Sequence, residues 1–240
     1  ALVAQGTADA PIVFTSDKTS PAAGDWKGIY LRNETHDAAT VLEHCVVEYA
    51  GHTHSAGIYF DQASPALRSS VIRKCSGRGI YLWESSPVVS GSTFEAINGS
   101  AVYLTGTSEP IIGGAGGGNT IGDINAYAVY CADRESRPTV AFNTISDYGA
   151  CAMRLSAHAA AHDNVYAGAG GRVIEIMGDE IRADHTWNAE IPVYVILGDV
   201  VIGHQSANGP VAALTIEAGV EVRFKPGTGL YVGRRPWNSH

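Results

Sequence analysis

Short apolar phrases separated by turn residues recur along most of this chain. The clearest reads Gly28-Ile-Tyr-Leu31, Gly57-Ile-Tyr-Phe60, Gly79-Ile-Tyr-Leu82, Ala101-Val-Tyr-Leu104, Ala128-Val-Tyr-Cys131, Ala152-Met-Arg-Leu155 and, more faintly, Val173-Ile-Glu-Ile176. Successive phrases stand 29, 22, 22, 27, 24 and 21 residues apart. A second phrase precedes the first, as in Pro65-x-Leu67 with Val71-Ile72, Pro87-x-Val89 with Thr93-Phe94, and Pro138-x-Val140 with Thr144-Ile145. A further apolar position follows at Tyr49, Cys75, Ile97, Ile124 and Tyr148. Each period therefore holds three apolar segments, none long enough for a helix. A propeller blade needs about 40 residues and four strands, whereas about 22 residues with three short strands make one turn of a parallel β-helix.

The expected fold is thus all-β, a right-handed parallel β-helix of about 22 residues per coil, with equivalent residues stacked at about 4.8 Å. Two inward columns are predicted in the first phrase, from Ile29 to Ile174 and from Leu31 to Ile176. A third is Val46, Ile72, Phe94, Ile121, Ile145 and Val165. Two residues before each member of that third column, His44, Ser70, Ser92, Asn119, Asn143 and Asp163 suit a turn in which short polar side chains bond to backbone. Extra residues mark loops, one carrying His52 and His54 and one holding the glycine-rich run 113–118. That run lacks the Lys-Ser/Thr of a phosphate loop and reads as a corner insertion.

Composition sharpens the picture. Val (21) and Ile (18) outnumber Leu (10), a β-branched bias that favours pleated surfaces over helices. A net charge of -8 with 16 basic residues lacks the footprint of a nucleic-acid binder. The longest apolar stretch, Ile191 to Leu197, is far short of the roughly 20 residues of a spanning helix, so no membrane span is expected. The chain starts at Ala1 with no signal-peptide pattern. Cys45, Cys75, Cys131 and Cys151 show no zinc-binding spacing and are expected as free, buried thiols. Sequons at Asn33 and Asn98 matter only in an organism that glycosylates them.

The run Leu2-Val-Ala-Gln-Gly-Thr7, Ala10-Pro-Ile-Val-Phe-Thr-Ser16 and Gly24-Asp-Trp-Lys-Gly-Ile29 resembles the first coils of right-handed parallel β-helix proteins of the pectin-lyase-like superfamily, similar to bacterial secreted or cell-surface repeat proteins. In that family such a run usually follows a segment like Leu214-Thr-Ile-Glu-Ala-Gly-Val220 and Glu221-Val-Arg-Phe224, which here comes last. The resemblance implies coils over 1–188, further coils like the start of a second array over 189–233, and a tail over 234–240. It implies a secreted or surface location, and the out-of-phase ends imply head-to-tail self-association.

Candidate chemistry is sparse. The middle residue of the phrase points away from the core, so Tyr30, Tyr59, Tyr81, Tyr103 and Tyr130 should form an outward stripe, continued by Arg154 and Glu175. Such a flat aromatic stripe suits sugar rings, with Arg32, Asp61, Trp83, Glu84 and Arg134 just beyond it. The bland alternative is that stacked phenols merely stabilise the sheet. His52 and His54 are weak acid/base or metal candidates, with Glu43, His44 and Glu48 near in sequence; His158-x-x-x-His162 with Asp163 would chelate only on a helix. Family enzymes carry paired Asp, Gly-His-Gly and Arg-Ile-Lys phrases; Asn143-Thr-Ile and Gly51-His-Thr are the nearest remnants. No metal site and no cofactor is expected. The sequence favours a non-catalytic surface module that binds polysaccharide through the tyrosine stripe, with a carbohydrate-active lyase, hydrolase or epimerase and a purely structural scaffold as alternatives.

Overall fold

In a computed structural model, which describes residues 1–52, 55–149, 151–168, 171–203 and 211–233, the chain winds into a parallel β-solenoid. Among the described residues there are 28 strands, one 3-10 turn at Asp37–Ala39 and no α-helix. Every strand pairing is parallel, because each strand meets its equivalent one coil later. Sheet I stacks seven strands from Val3–Gln5 to Ala160–His162, and sheet II seven from Ile12–Phe14 to Val165–Tyr166. Sheet III stacks nine, from Ile29–Leu31 to Glu221–Phe224. Two of its coils are 22 residues long, since Ile58 pairs with Ile80 and Ile80 with Val102, but the average is about 24. The difference from the expected 22 comes from corner insertions, where added residues cost little.

Alternation within each three-residue strand sends one set of side chains inward. Leu42, Leu67, Val89, Ile112 and Val140 of sheet I face Ile58, Phe60, Ile80, Leu82, Val102 and Leu104 of sheet III, all fully buried. Both predicted columns of sheet III are paired in the expected register.

The predicted sheet II column is one residue out at both ends. Val47, not Val46, pairs with Ile72 and is fully buried, while Val46 pairs with the outward Val71. Tyr166, not Val165, pairs with Ile145, and Val165 is 61% exposed. The corner between sheets I and II explains the slip. Each uninserted turn there uses one left-handed residue, His44 (φ 47°), Ser69 (46°), Gly91 (59°), Phe142 (61°) or Asp163 (55°), and the inward residue comes three positions later. His44 and Asp163 are therefore the corner residues, and Cys45 and Asn164 take the polar slot assigned to them. Ala50 likewise replaces Tyr49 as the buried partner of the Cys75 position, with Tyr49 (φ 60°) at the corner beside it.

That polar slot forms a buried ladder. Each backbone N–H donates to the side-chain oxygen one coil later: Cys45 to Ser70 (3.0 Å), Ser70 to Ser92 (3.2 Å), Ser92 to Asn119, Asn119 to Asn143 and Asn143 to Asn164 (3.0 Å each). The asparagine Nδ2 groups donate back to carbonyls of Val89, Ile112 and Val140. Such satisfaction is what lets polar side chains sit in an otherwise apolar solenoid. The inserted loop at 113–118 ends on Gly118, where a Cβ would lie 1.7 Å from the Phe142 carbonyl oxygen, so only glycine fits.

Beyond Met177 the cross-section changes. Sheet III continues through Val193–Ile196 and Glu221–Phe224, but sheets I and II stop. Two small sheets take over, one of Glu180–Ile181, Val200–Ile202 and Leu230–Val232, the other of His185–Trp187 and Leu214–Ile216.

Candidate functional site

The outer face of sheet III brings together what the phrase repeat predicted. Tyr30, Tyr59, Tyr81, Tyr103 and Tyr130 are successive partners, continued by Arg154 and Glu175. Ring centroids are 5.9, 4.8, 5.0 and 5.2 Å apart along the row.

The row is not the flat stripe that strand spacing suggested. Interplanar angles run 83°, 47°, 81° and 14°, so only Tyr103 and Tyr130 lie parallel. At this spacing the ring quadrupoles favour edge-to-face contacts, which present ring edges and hydroxyls as much as faces. All five rings are half-buried, and burial raises the phenol pKa of Tyr59 to about 12, helped by the nearby Asp61 carboxylate. Tyr59 is therefore a neutral hydrogen-bonding group rather than a base, and burial raises the phenol pKa of Tyr81 as well.

Charged groups flank the row. The Arg78 guanidinium lies 4.0 Å from the Tyr103 centroid and 5.1 Å from that of Tyr81. Arg154 donates from Nη1 to the Tyr130 hydroxyl at 3.1 Å, and the Tyr127 hydroxyl donates to Glu175 at 3.1 Å. Between Arg78, Tyr103, Tyr127 and Tyr130 lies an open cleft of about 480 Å³, floored by small residues such as Gly99 and Ala126. Sequence reasoning missed Arg78 and Tyr127, because each lies just outside the strict repeat. On the other flank, Asp61, Trp83 and Thr105 are paired in register.

The histidine candidates are scattered. His52 is exposed at the start of its loop, its N–H bonded to the Trp26 carbonyl, and His54 lies outside the described residues. His158 sits in a turn and His162 ends a strand, so no helix holds them together. They engage different acids: His158 Nε2 is 3.6 Å from Asp179, and His162 Nδ1 2.8 Å from Asp163. Among the described residues no three His, Cys, Asp or Glu are grouped to hold a metal ion. The four cysteines are free and buried, as expected, and burial pushes Cys75, Cys131 and Cys151 up to about 12, far from reactive.

A larger cleft of about 580 Å³ lies where sheet I gives way to His185–Trp187 and Leu214–Ile216, and nothing in the repeat announced it. Its carboxylates hold backbone: Glu190 accepts the N–H groups of Asp163 (2.6 Å) and Asn164 (3.0 Å), Asp184 that of Ala213, and Glu217 that of Ala189. Glu190 thereby terminates the asparagine ladder.

Comparison with known proteins matches residues 25–182, roughly two thirds of the chain, to the family described as right handed beta helix region. Neither the curated proteins nor the solved structures contain a match.

Proposed function

The chain belongs to the right-handed β-helix family, and from that footing we propose that it is a non-catalytic module that binds polysaccharide along the tyrosine row of sheet III. One observation carries this reading: five consecutive coils place a phenol on the same outward position, with neighbouring rings 4.8 to 5.9 Å apart. Apolar C–H faces of sugar rings pack against such rings while hydroxyls reach Arg78, Tyr127 and the phenols themselves. A secreted or surface location belongs to the same proposal, since polymeric glycans are met there, and membership of the wider pectin-lyase-like superfamily is consistent with it. Self-association through the end coils is the remaining part: Leu214, Val222 and Leu230 of the last coil are only partly buried, and Val3 and Val13 of the first are exposed.

Affinity gel electrophoresis against a panel of polysaccharides tests the binding. Wild type is retarded by at least one polymer, and the combined Tyr59→Ala, Tyr81→Ala, Tyr103→Ala variant loses the retardation. Because these rings also support the sheet, Arg78→Ala and single Tyr→Phe changes, judged against unchanged circular dichroism, separate binding from folding. Mobility unchanged on every polymer ends the proposal. Appearance of reducing ends or unsaturated products would replace it with an enzyme.

A further inference from the structure

We propose that the exposed indole of Trp83, with the Asp61 carboxylate on the preceding coil, forms a stacking subsite for a neutral sugar ring, so that this face takes uncharged rather than anionic glycans. The inference rests on the glycan-binding reading above and names its ligand class. Trp83 ends the strand Arg78–Trp83 and points outward like Tyr81 two positions earlier. Unlike the half-buried phenols, it is 37% exposed, an unusual place to leave so large an apolar ring. Its partners across the sheet are Asp61 on one side and Thr105 on the other.

The Asp61 backbone is paired in the sheet, but its carboxylate makes no side-chain hydrogen bond or ion pair among the described residues, which leaves its oxygens to a ligand. Two more carboxylates stand nearby in fixed positions. Asp133 accepts from Thr105 Oγ1 (2.7 Å) and the Gly106 N–H (2.6 Å), and Glu84 accepts from Gln62 Nε2 (2.6 Å). The charges of Asp61 and Asp133 both reach the row, since each helps raise a phenol pKa, of Tyr59 and Tyr81 respectively, behind the larger effect of burial. Arg32 follows Leu31, the partner of Phe60, and so stands one coil before Asp61, while Arg134 follows Asp133 in the chain. An indole face beside an open carboxylate suits a pyranose: C–H groups pack on the ring while hydroxyls donate charge-assisted hydrogen bonds. A uronate or sulfated sugar in the same place would set its own anion against Asp61, Glu84 and Asp133.

The test uses the full chain with three immobilised probes: a neutral β-glucan, a neutral galactomannan and a polyuronate. A neutral polymer retards wild type, Trp83→Ala weakens that retardation about tenfold or more, and Trp83→Phe restores part of it. Asp61→Asn weakens neutral binding several-fold and relaxes the exclusion of the polyuronate. Retardation by the polyuronate alone overturns the inference. So does a Trp83→Ala variant that binds like wild type while Tyr81→Ala and Tyr103→Ala lose binding, although the glycan reading then survives. Absence of binding to all three probes and to the wider panel removes both.

Discussion

Asn143 sits at the corner between sheets I and II with no exposed surface and with both ends of its amide in use. Its Oδ1 accepts from the N–H and Nδ2 of Asn119, and its Nδ2 donates to the carbonyls of Ile112 and Ala141 and to Asn164 Oδ1. Truncation would orphan a buried N–H and at least one carbonyl. Asn143→Ala should therefore cost about 2 to 4 kcal/mol, read as a lower urea midpoint at unchanged slope. Thr144→Ala next to it, outward and exposed, should change the midpoint little. The position of Asn143 was legible in the sequence, as were Ser70, Ser92 and Asn119. His44 and Asp163 were placed in the same slot because a polar residue preceding an apolar pair satisfies the pattern in two registers. Val46-Val47 and Val165-Tyr166 each offer two apolar side chains in succession, and only the left-handed corner decides which of them turns inward.

At the scale of elements, the corner after Met177 joins the main solenoid to its last coils. His158 and His185 lie there, both with pKa values lowered chiefly by burial. Arg137 and Arg182 lower that of His158 further, opposed by Asp179 and Glu180, and His158 lowers that of His185. A histidine whose pKa is depressed in the folded state takes up its proton first when unfolded. Stability from both groups is thus fully present above the unfolded value of about 6.5 and is lost as pH falls through it toward the folded values. Urea midpoints should drop between about pH 7.5 and pH 5.5, and His158→Gln combined with His185→Gln should flatten that slope. An equal slope in the double variant would assign the acid sensitivity to other groups. Hydrogen exchange at the lower pH should show strands Val193–Ile196 and Val200–Ile202, which follow that corner, opening before Ile58–Phe60, which is stacked between coils on both sides.

For the whole molecule, parallel stacking leaves strand edges at the first and last coils, a feature that repeat architectures manage with caps or partners. The last described coil keeps Phe224 at 45% and Val232 at 80% exposure, and among the described residues Glu221–Phe224 and Leu230–Val232 are the end strands of their sheets. The 240-residue chain should associate end to end, with sedimentation coefficients that rise with concentration. Charged substitutions at Phe224 and Val222 should abolish the rise without changing the circular dichroism spectrum. A strict monomer at high concentration would remove self-association from the proposed partners.

The sequence by itself determined the architecture and most of its register. A solenoid repeats one local problem, so each coil restates which position points inward, and seven statements average out the noise of any single one. It determined the tyrosine row for the same reason, because outward positions repeat as faithfully as inward ones. Only the tertiary structure decided how the rings lie against one another, since interplanar angles follow from packing between coils and not from spacing along the chain. The tertiary structure also decided that Arg78 stacks on Tyr103 and that Trp83 stays exposed. The Arg78 contact joins residues one coil apart whose identities do not repeat, so no periodicity could announce it. The change of cross-section after Met177 was equally hidden, because there the repeat itself fades and local pattern no longer says which side of the solenoid a strand will join.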